Sequence, residues 1–309
     1  MLSLVRAQYD APSFCEGGGI GRRTRLRIWR FDVRVQVPPL APHRNYEVLI
    51  ISRLFFIYCQ RRKKELKRNI KLTYSYDGSE FFGFQRQPEL RTVQGEIEKV
   101  LKVIFKKDID LVSAGRTDRG VHGKMQVSNF ITELSIPLEK IKFILNNRLP
   151  KDIVIKKVED VDLEFSSRFS ATHRAYEYYI SEERDPFNSR YTTFVEGRLD
   201  IERLNDIAKP LLGVHDFANF RLSDCGSSTT VREIYEVKFS RVDEKRVKLY
   251  VKGNAFLKSQ IRIIVGTILG IYFNKKPSSH LKDMLDNPGI NYAKLVAEPY
   301  GLHLCEIGY

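Results

Sequence analysis

The order of strand-like and helix-like segments from residue 69 onward constrains the fold more than any other feature. Apolar and polar residues alternate over residues 70–76, which is typical of a half-buried strand, and Asp77-Gly78 marks the turn that follows. Thr92 precedes apolar residues spaced three or four apart, which predicts a capped helix. Further strands are predicted over residues 109–114, 124–131 and 153–158, with a second helix over 138–145. The resulting order is β-α-β-β-α-β.

The same order of segments recurs in the second half, without visible sequence identity between the halves. Strands are predicted over residues 174–181, 231–240, 245–252 and 302–307, and helices around 204–212 and over 256–273. We therefore predict an α+β fold of two ferredoxin-like units, residues 66–160 and 161–309. The units would share a mixed or antiparallel sheet, with the helices on one side and an active-site cleft between them.

Residues 1–65 differ in composition and are predicted to be an extension. Residues 1–68 carry +10 of the formal charge of +14, so most of the basic excess lies outside the predicted units. The extension is interpreted as a disordered, basic RNA-binding arm or as sequence outside the working protein, with translation starting at Leu66. The second interpretation rests on back-translation, because Val35-Gln36-Val37 and Ala41-Pro42 can be encoded by codons that fit a tRNA T-loop and a tRNA 3′ end.

A stretch of glycines and charged residues, AGRTDRGVHG at residues 114–123, lies between two predicted strands and is termed the Asp118 loop. Its glycines allow the backbone to turn tightly and to come close to a ligand. Because Arg116, Arg119 and His122 flank Asp118 in sequence, the carboxylate is expected to have mostly positive neighbours and to suit an anionic substrate. A solvated turn with a local Asp–Arg pair is the alternative for this stretch taken alone.

Three further stretches combine aromatic and charged residues. They are FSSRFSA at residues 165–171, which leads into the strand of Tyr176, HDFANFR at residues 215–221, and NAFLKSQIR at residues 254–262, which opens the last long helix. Taken singly, each fits a structural role, with Tyr178 and Phe217 in a core and Arg262 in a helix salt bridge.

Together with the Asp118 loop, these stretches resemble the TruA-type tRNA pseudouridine synthases over residues 69–309. The resemblance also takes in YDG at residues 76–78 and NRLP at residues 147–150, and GRTD at residues 115–118 is its most specific part. The departures from the family pattern are Arg119, Gly123, Ile263 and the separation of Ala297 from Pro299 by Glu298. These departures bear on substrate choice more than on the chemistry.

The resemblance implies a homodimeric enzyme that isomerises uridine to pseudouridine in the anticodon stem-loop of tRNA, without a metal or a small-molecule cofactor. The residues that it implicates are Asp118, Arg116 and Tyr176 in catalysis, and Tyr176, Arg168, Arg262 and Leu257 in substrate binding. Asp118 would act as a nucleophile at C1′ or take a proton from C2′, and Tyr176 would lie against the uracil. Arg116 would hold the carboxylate or fill the space that the flipped base leaves. Arg262, which the resemblance places in the pocket, is a second candidate for pairing with Asp118.

Cysteine usage and the apolar segments indicate the compartment. The four cysteines are scattered without CxxC spacing, which argues against a zinc site or a disulfide framework and fits a reducing cytoplasm. The apolar residues 46–58 are too few to span a bilayer and are interrupted by Arg53, so no membrane association is expected.

Two other functions remain open from the residues alone. A tandem ferredoxin-like RNA-binding module without catalysis would share the topology, but it should carry a Lys/Arg-Gly-Phe-x-Phe pattern on a strand, and the sequence has none. An Asp-dependent hydrolase would need a general acid and usually a second carboxylate or a metal. Formation of pseudouridine in a tRNA transcript would distinguish the three functions.

Overall fold

The computed structural model describes residues 67–222 and 228–309, together with the backbone of two strands nearer the N-terminus. The chain divides into two compact units, Met1–Glu65 and Leu66–Tyr309. In the first unit, strand β1 (Arg23–Ile28) pairs antiparallel with β2 (Phe31–Gln36). The predictions of a disordered extension and of a translation start at Leu66 fall on residues that otherwise lie outside the described part of the chain.

The second unit is built on one large, mostly antiparallel sheet. Its strands are β3 (Arg68–Tyr76), β4 (Val112–Ser113), β5 (His122–Thr132), β6 (Ile153–Val161), β7 (His173–Ser181), β8 (Thr193–Phe194), β9 (Gly213–Asp216), β10 (Val231–Arg241), β11 (Arg246–Gly253) and β12 (Leu302–Gly308). The order across the sheet is β6-β3-β5-β12-β7-β11-β10-β9, and the short strands β4 and β8 pair with β5 and β7. The last strand, β12, therefore joins the first half (β3–β6) to the second half (β7–β12).

Helices cover this sheet. Those of the described residues are α1 (Val93–Phe105), α2 (Leu138–Arg148), α3 (Ile201–Ala208), α4 (Gln260–Tyr272) and α5 (His280–Asp286). The predicted cap of α1 is confirmed, because the Thr92 hydroxyl accepts a hydrogen bond from the Gly95 amide at 3.3 Å. None of the described helices is long and apolar enough to cross a membrane.

The predicted α+β fold is confirmed, since both halves contribute to one sheet. The first half has the order β-α-β-β-α-β, and the second half has this order with the short strands β8 and β9 and the helix α5 added. One row of paired residues crosses the sheet from Tyr76 through Gly123, Leu304 and Tyr176 to Val251. Residues that pair side by side share a face of the sheet. Helix α1 packs on this face in one core cluster, which includes Tyr76, and α4 packs on it in a second cluster, which includes Tyr176 and Val251. The helices of both halves therefore lie on one side.

Several boundaries differ from the sequence predictions, and three of them bear on the site or its surroundings. The strand predicted over residues 109–114 is reduced to β4, because the Leu111 side chain is buried and its amide donates to the Glu98 carboxylate rather than to a strand. The helix predicted over residues 256–273 begins only at Gln260, because Ser259 has a left-handed backbone with φ 59°. Part of the stretch at residues 215–221, where the sequence predicts no strand, belongs to β9, which pairs with β10.

Helix α4 is held close to the segment at residues 295–297. A Cβ added to Gly266 would lie 2.1 Å from the carbonyl oxygen of Leu295. The Ala297 amide donates to the Arg262 carbonyl at 3.0 Å, and the Arg262 Nε donates to the Ala297 carbonyl at 2.8 Å. This close approach fixes both the backbone of α4 and the side chain of Arg262.

The variant Gly266→Ala tests this packing. Alanine in a helix interior usually stabilises by about 0.5–1 kcal/mol relative to glycine. Overlap with a main-chain carbonyl should reverse the sign here, and we expect the free energy of unfolding to fall by about 1–3 kcal/mol. Urea denaturation measures the change. The matched control is Gly289→Ala, where a Cβ meets nothing within 4 Å. Equal stability of the two variants would contradict the close approach.

Candidate active site

The Asp118 loop connects β4 to β5 and is anchored through its main chain and Thr117. The Thr117 hydroxyl is hydrogen-bonded to the Tyr76 hydroxyl at 2.8 Å, and the Thr117 carbonyl accepts from the Phe84 amide at 3.1 Å. Gln126 Nε2 donates to the Gly115 carbonyl at 3.0 Å. These contacts hold the residues on both sides of Arg116, so the backbone that carries Asp118 is fixed.

The Asp118 carboxylate contacts α4 of the second half. Its Oδ2 accepts a hydrogen bond from the Ser259 hydroxyl at 2.5 Å and another from Arg262 Nη1 at 3.1 Å. The side chains of Asp118 and Arg262 are 21% and 18% exposed, so the ion pair lies at the edge of the core rather than in open solvent. A partly buried, charge-assisted pair holds the carboxylate in one orientation.

The positive charge near Asp118 does not come from its neighbours in sequence. Arg119 lies over the Phe82 ring, with its guanidinium 4.4 Å from the ring centroid. His122 is buried, and its Nδ1 accepts a hydrogen bond from the Gly78 amide at 3.1 Å. Consecutive side chains of a turn point in different directions, so the expected cluster around Asp118 is replaced by Arg262, which comes from a distant helix.

Tyr176 projects from β7 on the helix-covered face and is 8% exposed. Its ring packs edge-to-face against Phe256 with the centroids 5.3 Å apart. The hydroxyl lies 3.8 Å from the position that a Cβ on Gly115 would occupy. Burial raises the pKa of Tyr176 to about 12, Arg174 opposes this shift, and the charge of Asp118 adds to it. Tyr176 therefore keeps its proton at neutral pH.

The other predicted site residues lie in different surroundings. Leu257 is buried in the same core cluster as Tyr176, and its amide donates to Gln260 Oε1 at 2.7 Å. Arg168 is exposed, with its guanidinium 5.2 Å from the centroid of the Phe169 ring. Arg116 is also exposed, and within the described ranges its side chain forms no hydrogen bond or ion pair. The structure thus brings Asp118, Arg262 and Tyr176 together and leaves both of these arginines facing solvent.

Arg174 holds the main chain of the site together, a role that the sequence analysis missed. Its guanidinium donates to the carbonyls of Ala114 (3.1 and 3.3 Å), Arg168 (2.8 Å), Ala171 (3.2 Å) and Asn254 (3.0 Å). These carbonyls belong to the start of the Asp118 loop, to the stretch at residues 165–171 and to the approach to α4. Burial lowers the pKa of Arg174. The two-residue period placed Arg174 on the buried face beside Tyr176, and this was the available signal.

Ser259 is the second residue that the sequence analysis missed. Its hydroxyl contacts Asp118, but no local pattern links two residues 141 positions apart.

Within the described ranges, no group of three or more His, Cys, Asp or Glu side chains is arranged to hold a metal ion.

Comparison with known proteins defines the class to which this site belongs. The family model described as "tRNA pseudouridine synthase" matches residues 72–170 and 207–309, which include Asp118, Ser259 and Arg262. The chain belongs to the tRNA pseudouridine synthase family.

The alignments with individual relatives extend over nearly the whole length of each relative. The "tRNA pseudouridine synthase A" of Bacillus pumilus is 40% identical over 244 residues, which are 78% of this chain and 98% of the relative. The proteins of the same name from Bacillus subtilis and Acetivibrio thermocellus are 39% and 38% identical, over 78% of this chain and 98% and 100% of theirs.

Among solved structures, an archaeal box H/ACA sRNP Nop10–Cbf5 complex matches with a TM-score of 0.32 and 11% identity. The match covers 76% of this chain and 48% of that one.

The variant Arg174→Lys tests the role of Arg174 in assembling the site. An ammonium group cannot reproduce a planar fork that reaches four carbonyls. With roughly 1 kcal/mol for each lost hydrogen bond, we expect the free energy of unfolding to fall by about 2–4 kcal/mol in chemical denaturation. The control is Arg198→Lys, at an exposed arginine. A loss no larger than that of the control would show that the carbonyl contacts do not stabilise the site.

Proposed function

We propose that this chain is an enzyme that isomerises uridine to pseudouridine in tRNA, with Asp118 as the catalytic carboxylate. The observation that carries the proposal is the position of Asp118. In a chain of this family, its carboxylate is oriented by Ser259 and Arg262 and lies close to Tyr176. The non-catalytic RNA-binding alternative is not favoured, because it gives this arrangement no purpose.

The reaction exchanges one glycosidic bond for another. The C1′–N1 bond breaks, the uracil turns, and a C1′–C5 bond forms while a proton leaves C5 and N1 gains one. Asp118 acts either by attack on C1′, with the bonding electrons passing to the uracil, or by removal of a proton from C2′. No atoms are gained or lost and nothing is oxidised or reduced, so the reaction itself requires no co-reactant.

Tyr176 is the residue that we propose to contact the base. The target uridine has to leave its stack before its C1′ can reach a carboxylate, and this costs a few kcal/mol. Stacking on an aromatic ring returns about 1–3 kcal/mol per base. The Tyr176 hydroxyl can also move the proton at C5, as a relay in which the oxygen accepts the proton that leaves C5 while the hydroxyl's own proton passes toward N1. Leu257, buried in the same core cluster, would close the apolar side of the uracil site.

The exposed arginines suit contacts with the RNA backbone. Arg116 and Arg168 face solvent on the two stretches that carry the site, and we propose that they bind phosphates or replace the flipped base. The family resemblance further supports the anticodon stem-loop as the target and a homodimer as the working form. The scattered cysteines support a cytoplasmic location.

The variant Asp118→Asn tests the proposed function. An amide is nearly the same size as a carboxylate, but it is a far weaker nucleophile and base. We therefore expect pseudouridine formation in a tRNA transcript to be abolished, while tRNA binding stays within a few-fold of wild type. The control is Asp110→Asn, since the Asp110 side chain is 95% exposed. Turnover by Asp118→Asn would contradict the assignment, and a wild-type protein without activity would contradict the function.

A further inference from the structure

The hydroxyl of Ser259 is used in an unusual way. Ser259 is the N-cap residue of α4, and a serine at this position normally has an extended backbone and accepts a hydrogen bond from an amide of its own helix. Here φ is 59°, in the left-handed region, and the side chain makes no capping hydrogen bond. The hydroxyl instead donates to Asp118 Oδ2 at 2.5 Å. The residue thus lacks two local stabilising features while contacting the carboxylate.

The two donors to Asp118 share one oxygen. Both Ser259 and Arg262 bind Oδ2. Among residues 67–222 and 228–309, no side chain or amide forms a hydrogen bond with Oδ1. The two oxygens of the carboxylate are therefore not equivalent in the folded protein.

We infer that Ser259 is a positioning residue and that Oδ1 of Asp118 is the oxygen that acts on the ribose. Two donors on Oδ2 fix the rotation of the carboxylate and leave the lone pairs of Oδ1 available. When Oδ1 forms a bond to C1′ or takes the C2′ proton, the C–Oδ2 bond becomes a carbonyl that still accepts from both donors. Reaction through Oδ2 would instead require a donor to leave. This inference rests on the proposed function of Asp118.

Two substitutions separate the hydrogen bond from the backbone conformation. Ser259→Gly removes the hydroxyl and relieves the positive φ, because glycine adopts this region without steric cost. Ser259→Asn keeps a donor, and asparagine tolerates the left-handed region better than most residues. Ser135→Gly, at an exposed serine, is the matched control.

Steady-state kinetics on a tRNA transcript, together with thermal unfolding, provide the test. Loss of a hydrogen bond to a charged group should lower kcat of Ser259→Gly by about ten- to a hundredfold. KM should stay at the wild-type value. The unfolding temperature should stay the same or rise. Ser259→Asn should recover most of kcat. A merely structural role would lower stability together with activity.

The inference is overturned if Ser259→Gly turns over as fast as Ser135→Gly, or if Ser259→Asn is as slow as Ser259→Gly. Either result leaves the proposed function intact, provided that the wild type is active and Asp118→Asn is not. An inactive wild type would instead remove the proposed function itself.

Discussion

The ion pair between Asp118 and Arg262 is the contact on which the arrangement of the site depends. It joins a loop of the first half to a helix of the second half, across 144 positions of sequence. Strand β12 makes this possible, because it pairs in parallel with β5 and antiparallel with β7. The Asp118 loop leads into β5, and Tyr176 lies on β7. One C-terminal strand therefore brings the carboxylate, its partners and the aromatic residue to the same face of the sheet.

Several residues around this contact have conformations or surroundings that lower the stability of the fold. A non-glycine residue in the left-handed region costs on the order of 1–3 kcal/mol, and Ser259 is such a residue. Arg174 is a half-buried cation whose donors reach carbonyl groups rather than a carboxylate. Gly266 has a low helix propensity, but its lack of a side chain lets residues 295–297 approach α4. Costs of this kind at the residues that hold a catalytic carboxylate are typical of a functional site.

The sequence predicted features whose causes are local. The alternation over residues 70–76 identified β3, and the Thr92 cap and three- to four-residue spacing identified α1. Local sequence patterns could not identify side chains that become partners only through tertiary contacts. Local propensity gave no reason for the strand predicted over residues 109–114 to be shorter, although the Leu111 amide there donates to the Glu98 carboxylate. It also gave no reason for α4 to begin only at Gln260. For the same reason, the sequence around Asp118 pointed only to its flanking arginines as partners, and the family resemblance alone pointed to Arg262. Ser259 and Arg174 received no role.

A double-mutant cycle on the free energy of unfolding measures the central contact most directly. Asp118→Asn, Arg262→Gln and the double variant are compared with wild type by urea denaturation at one salt concentration. If the two side chains form a partly buried ion pair in solution, the effects should fail to add by about 1 kcal/mol or more. Additive effects, within about 0.3–0.5 kcal/mol, would show that Asp118 and Arg262 do not interact, and would contradict the account of how the site is assembled.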